Sequence, residues 1–250
     1  MSASGTAGPT PEGGGGARWP VGPEQPSLPT AVVDVWRVDL AEVDEELAST
    51  LSAPERERAA RIAGERERRV WRRARGVLRE LLGRYMSCEG AAVALAVDDQ
   101  GKPSLTGATS IAPLCFNLSH SGELALYAFS ASGHVGIDVE MLREDRSRQP
   151  VDHVALARRA FGEHEAQRLS MVEPAQREWE FLRAWARHEA ELKWRGSGIG
   201  GAGEHGQALD AVAPWTVELD LDNARAAAAV ALSDRATELR QWSFARGSSR

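Results

Sequence analysis

Val135-Gly136-Ile137-Asp138-Val139-Glu140 and, about fifty residues on, Trp185-Ala186-Arg187-His188-Glu189-Ala190-Glu191-Leu192-Lys193 decide how this 250-residue chain reads. The first stretch predicts a strand. Alternation puts Ile137 and Val139 on a core face and Gly136, Asp138 and Glu140 on the other. The second predicts a helix on which Leu182, Trp185, Glu189 and Leu192 keep the three-and-four spacing of a buried stripe. Glu189 therefore stands where an apolar residue is expected, and a buried carboxylate without a partner is costly. Two acids from a strand and one from a helix make a cage suited to a hard divalent cation. Lys193, one turn beyond Glu189, adds a cation on the same face. Asp138-x-Glu140 alone reads equally as an exposed strand face; the core-facing Glu189 is what brings two segments to one place. Gly136 carries no side chain on that face, which would let a ligand approach the backbone.

Working outward, the sequence holds 30 Lys plus Arg, yet only Lys102 and Lys193 are lysines. Lysine meets phosphate as a point charge where arginine forks, so the two are not interchangeable; drift in an arginine-biased genome is the plainer alternative. The charged run after residue 55 has a similar ambiguity. Glu55, Glu57, Glu65 and Glu67 pair with neighbouring arginines as on a solvated helix face. From Arg68 to Arg79 the charge becomes purely basic, and that stretch suits an anionic ligand. Phe116-Asn117-Leu118-Ser119-His120-Ser121 is either a turn held by its own side chains or a donor set for phosphate oxygens. Trp36, Trp71, Trp179 and Trp185 read as core, and His134, His153, His164 and His205 lack ligand spacing.

Composition bounds the rest. With 42% hydrophobic and 26% charged residues the chain is ordinary for a globular protein, and its net charge of −6 argues against bulk nucleic-acid binding. Cys88 and Cys115 are too few for a disulfide framework and suit a reducing, cytoplasmic setting. Neither a membrane-spanning stretch nor a secretion signal is visible.

Residues 1–29, rich in Gly, Pro and Ser, predict a disordered lead. Residues 31–38 predict a strand, and Ser52 with Glu55 a capping box opening a helix that runs to residue 85. Strands follow at 93–97, 116–119, 124–129 and 134–140, with a turn at 98–103. A charged loop at 142–150, short helices at 151–159 and 163–169, and the long helix from Pro174 come next. A glycine-rich loop at 196–206 then precedes strands at 215–221, 226–232 and 238–244. The alanines at 226–229 prefer helix on propensity alone. The order repeats, which predicts an α+β fold of two similar halves, residues 30–132 and 133–245.

In these motifs the chain resembles the 4′-phosphopantetheinyl transferases of the surfactin-synthetase-activating type. That family's Gly-hydrophobic-Asp-x-Glu strand matches Gly136 to Glu140, and its Trp-x-x-Lys-Glu-Ala-x-x-Lys helix matches Trp185 to Lys193. Its Gly-Lys-Pro turn matches Gly101-Lys102-Pro103, and its Phe-Asn-hydrophobic-Ser-His-Ser strand matches Phe116 to Ser121. The likeness covers about residues 31–244. His188 departs where the family has Lys, and Ala186 where it often has a small hydroxyl residue.

The resemblance implies a pseudo-two-fold pair of α+β halves with coenzyme A in the cleft between them. It implies transfer of the phosphopantetheine arm to a serine of an acyl or peptidyl carrier protein, releasing 3′,5′-bisphosphoadenosine. Magnesium would be held by Asp138, Glu140 and Glu189. Glu189 would take the serine proton, and Lys193 would steady the pyrophosphate. Lys102, Ser119 and His120 would hold coenzyme A, with Arg69 and Arg75 in a basic patch beside them. His188 would lie along the cleft wall. The protein would act as a cytoplasmic monomer, away from nucleic acid and membrane. A non-catalytic homologue and a divalent-metal phosphohydrolase remain alternatives at this point.

Overall fold

The computed structural model describes residues 19–98, 101–106, 114–142, 151–196, 213–221, 225–235 and 237–246. The expected lead over 1–18, most of the charged loop at 142–150 and most of the glycine-rich loop at 196–206 lie outside them. Strand β1 (Val32–Asp39) leads into helices α1 (Ala53–Ala60) and α2 (Glu65–Met86). Short strands β2 (Leu95–Val97) and β3 (Pro103–Leu105) form a hairpin, followed by β4 (Cys115–Ser121) and β5 (Leu124–Ser130). Then come β6 (Val135–Met141), α3 (His153–Phe161), α4 (Glu163–Ser170), α5 (Arg177–Arg195), β7 (Trp215–Glu218), β8 (Ala226–Leu232) and β9 (Glu238–Ser243).

The fold is α+β, and its topology repeats. One sheet has the order β4-β5-β1-β9 and another β6-β8-β7. Taken as β4-β5-β1 and β7-β8-β6, the two units have the same order, and every pair inside them is antiparallel. The repeat ends before the expected boundary at 245. β9 crosses back to pair in parallel with β1, and Arg240 and Trp242 on it donate to the buried Asp34.

Alternation decides which faces pack. Val33 and Val35, Leu124 and Leu126, Ile137 and Val139, and Ala228 and Val230 form one core between the sheets. The opposite faces are covered by helices. Trp36, Tyr127 and Phe129 meet Val77, Leu78 and Leu81 of α2, while Ala229 and Ala231 meet Ala186, Ala190 and Trp194 of α5. The alanine run is a strand because both its faces are buried, and tertiary context outweighs its helical propensity.

Three expectations need correction. The single helix from residue 55 to 85 breaks at Gly64, which caps α2 in an extended conformation, and the Arg68 guanidinium takes up Ile62 O. The lead is not structureless from Trp19 onward. Trp19 is 4% exposed and its Nε1–H donates to Asp220 O, while Gly22 N donates to Ser243 O. Gly136 faces helix backbone rather than ligand: a Cβ there would fall 2.5 Å from Trp194 N and closer still to Ala190 O.

Candidate active site

β6 and α5 bring the acids together. Asp138 is 4% exposed, and its Oδ1 accepts from Lys193 Nζ at 2.7 Å and from Ser119 Oγ at 2.8 Å. Lys193 Nζ also donates to Ile137 O at 3.1 Å. Asp138 Oδ2 is buried without a hydrogen-bond partner. Glu189, 9% exposed on α5, has its pKa raised, first by burial and then by the charge of Asp138; Lys193 and His188 oppose the shift. Glu140, two residues beyond Asp138 on the same strand face, accepts from Ser121 Oγ at 3.3 Å.

Among the described residues no group of three His, Cys, Asp or Glu side chains stands ready to hold a metal ion. The donor chemistry fits a hard cation nonetheless. The acids offer only oxygen, Asp138 keeps a buried oxygen unpartnered, and Glu189 feels the charge of Asp138. In this structure Lys193 supplies the opposing charge at Asp138.

Beside the acids lies a cleft of about 530 Å³, lined by Ile62, Arg66, Glu67, Val70 and Trp71 on one side and by His120, Ser121, Gly122 and Glu140 on the other. Trp71, expected in the core, is half-buried and forms part of this wall. Ser119 and His120 are neighbours on β4, so they point to opposite faces. Ser119 reaches Asp138, whereas His120 faces the cleft toward α2. His120 is exposed at the strand end, yet the protein packed around its ring, and the charge of Lys193, hold its pKa below the ordinary histidine value.

The Lys102 turn is closed by Lys102 N donating to Asp98 Oδ1 at 2.8 Å. Lys102 itself is exposed, and its charge pulls down the Cys115 thiol that burial pushes up. The Arg58 guanidinium abuts Gly101, with Nη1 2.8 Å from where a Cβ would stand, and sits 5.9 Å from the Trp71 ring. Sequence reasoning passed over Arg58, because interleaved glutamates made its helix read as a solvated face.

The two arginines expected in the basic patch separate. Arg75 is buried, pairs with Glu55 (Nε to Oε1 3.6 Å) and packs on Trp71 at 5.3 Å. Burial lowers its pKa while Glu55 resists. Arg69 is exposed, about 120° around the helix from Arg75. His188 also departs from expectation: its ring meets Phe161 edge-on at 5.3 Å and lies 6.5 Å from Trp185. The pocket it lines, with His164, Arg187 and Glu191, includes none of Asp138, Glu140 and Glu189.

The chain is similar to known proteins. Residues 134–246 match the family model described as the 4′-phosphopantetheinyl transferase superfamily. The chain is 36% identical over 184 residues to the 4′-phosphopantetheinyl transferase HetI of Nostoc sp., covering 72% of this chain and 76% of that one. A putative 4′-phosphopantetheinyl transferase of Synechocystis sp. is 32% identical over 152 residues, 60% of this chain and 59% of its own length. The 4′-phosphopantetheinyl transferase AcpT of Escherichia coli (strain K12) is 39% identical over 98 residues, 39% of this chain and 46% of its own.

Proposed function

The chain belongs to the 4′-phosphopantetheinyl transferase superfamily, and from that premise we propose that it moves the 4′-phosphopantetheine arm of coenzyme A onto a serine of an acyl or peptidyl carrier protein. This is holo-[acyl-carrier-protein] synthase chemistry. The serine oxygen bonds to the phosphorus that bears the pantetheine, the bond to the other phosphate breaks, and 3′,5′-bisphosphoadenosine leaves with its electron pair. The observation that carries the reading is the buried Asp138 between Lys193 and Ser119, with one oxygen unpartnered and Glu189 across from it on α5.

Glu189 is the base. As a carboxylate on α5 beside Asp138, it would take the proton of the incoming serine hydroxyl. Lys193, tied to Asp138, holds a fixed ammonium where pyrophosphate charge develops. Lys102 and Arg58 meet the phosphates of coenzyme A from the turn at Gly101. His120, with its lowered pKa, joins them as a neutral N–H donor. Ser119 orients Asp138, Arg69 adds long-range positive charge, and Arg75 supports the wall behind Trp71. Asp138, Glu140 and Glu189 would hold Mg²⁺, which when bound neutralises charge developing on the pyrophosphate oxygens.

We place the enzyme in the cytoplasm as a monomer; no described helix is long and apolar enough to cross a membrane. The test is mass spectrometry of an apo-carrier after incubation with coenzyme A and Mg²⁺. The carrier is expected to gain the phosphopantetheine mass. An unmodified carrier beside intact coenzyme A, or beside hydrolysed coenzyme A, would overturn the reading.

A further inference from the structure

β6 is an edge strand of its sheet, and an edge strand has backbone N–H groups that need partners. Two of them are met by side chains of β4. Ile137 N donates to Asn117 Oδ1 at 3.2 Å, and Met141 N donates to Ser121 Oγ at 3.1 Å. These bonds bracket the acids: one falls on the residue before Asp138, the other on the residue after Glu140. Between them Ser119 donates to Asp138. Asn117, Ser119 and Ser121 share one face of β4 by the period of two. Their partners across the ladder on β5, Ala128, Leu126 and Leu124, belong to the core between the sheets. The side chains turn polar along β4, where that core ends.

A serine hydroxyl has one proton and two lone pairs. At Ser121 the Met141 N–H takes a lone pair, which leaves the proton for Glu140 Oε2, 3.3 Å away. One side chain thus clamps the strand end and aims the carboxylate without bringing a positive charge beside it. We propose that Ser121 is a positioning residue that fixes Glu140 for cation binding, with Asn117 holding the other end of the Asp138-Val139-Glu140 segment. This rests on the transferase reading above.

The experiment compares wild type, Ser121→Ala and Ser121→Thr. Mn²⁺ binding is read by electron paramagnetic resonance, and kcat and KM for coenzyme A by carrier modification. Ser121→Ala is expected to weaken Mn²⁺ binding and to lower kcat, each by about tenfold, with little change in KM, as when a group that orients a metal ligand is lost. Ser121→Thr keeps the hydroxyl and is expected to restore both. Wild-type Mn²⁺ affinity and kcat in Ser121→Ala would overturn the inference and leave the transferase reading standing, as would a Ser121→Thr protein as impaired as Ser121→Ala. A wild type that modifies no carrier would defeat the transferase reading, while the Mn²⁺ comparison still decides the role of Ser121. Were Ser121→Ala not to fold, Ser121→Cys, similar in size but a weak donor, carries the same expectations.

Discussion

The two halves share a topology and differ in how close the helix comes to its sheet. In the first half α2 rests on Trp36, Tyr127 and Phe129 through Val77, Leu78 and Leu81, a contact of large side chains. In the second half α5 meets Ala229 and Ala231 through Ala186, Ala190 and Trp194, and Gly136 admits the α5 backbone itself. Small residues bring α5 near enough for Lys193 to reach Asp138 and Ile137 O. At the corresponding helix of the first half the buried charges are Arg75 and Arg79, which answer Glu55 and stay within the core. One topology therefore yields a packed support and a face that brings Lys193 against Asp138, our proposed reactive face, and residue volume at the helix–sheet contact separates them.

The strongest way to break that comparison is to restore volume at the close contact. Gly136→Val pushes a side chain against the backbone at Ala190 and Trp194, where nothing flexible gives way. Overpacking of this kind is expected to cost about 3 kcal/mol and to abolish transfer, read by thermal unfolding and carrier modification. Leu78→Ala in the first half is expected to cost a similar amount, about 3 kcal/mol, through a cavity. Its folded fraction should keep wild-type kcat. Loss of turnover in folded Leu78→Ala, or wild-type turnover in Gly136→Val, would dissolve the distinction between the halves.

Glu189→Gln tests the reactive face directly. It keeps side-chain volume and removes the carboxylate, and is expected to lower kcat by about a hundredfold, the scale of losing a key electrostatic catalyst. Stability without added metal should move the other way. Because the folded-state pKa of Glu189 is raised, the native protein holds this proton more tightly than the unfolded chain. Its contribution to stability therefore falls as pH rises from the ordinary carboxylate range through the raised folded value, and the penalty persists above it. Glu189→Gln should match wild type in acid and exceed it at neutral pH. Equal melting curves at both would show that burial of this carboxylate costs nothing.

The same comparison explains what could be read in advance. Period-two and period-3.6 patterns gave β6 and α5 as elements, but the expected stripe needs correction. Leu182, Trp185 and Leu192 are only half-buried. Glu189 is buried instead with Phe181, Trp194 and the small residues Ala184, Ala186 and Ala190, which local pattern does not mark as a face. Volume and exposure were harder to read. Arg75 and Arg69 look alike in a basic run, yet one is buried against Glu55 and the other is in solvent. Arg58 was hidden by neighbouring glutamates, and Gly136 looked like room for a ligand because nothing local announces an approaching helix. β9 was visible as a strand, but its pairing with β1 joins residues about two hundred positions apart, beyond any local pattern.

Both proposed coenzyme A contacts of the first half, His120 lining the cleft and Lys102 exposed on the turn beside Arg58, differ in charge, and that difference can be tested. Lys102→Ala is expected to raise KM for coenzyme A about fivefold, about 1 kcal/mol for an exposed charge pair, with little effect on kcat. The variant should also lose part of the salt dependence of KM, since screening acts on the removed charge. His120→Ala should raise KM while leaving that salt dependence intact, because its lowered pKa keeps the ring neutral. Equal changes in salt dependence for both variants would place a cation at His120.

The smallest effect is expected at His188, one residue from Glu189 on α5. Neighbours on a helix point about 100° apart, so the two side chains diverge. Glu189 turns toward Asp138, while His188 packs on Phe161 and Trp185 in the cluster with α3. A lysine placed there has a stem that can lie along the same aromatic surface with its ammonium in water. His188→Lys should therefore leave kcat and KM for coenzyme A within about twofold of wild type. It should cost the ring contact, about 1 kcal/mol, seen as a melting temperature lower by about 3 °C. A markedly lower KM in His188→Lys, with unchanged stability, would mean that position 188 reaches the phosphates after all. The close packing of α5 would then serve the cleft on two of its faces rather than one.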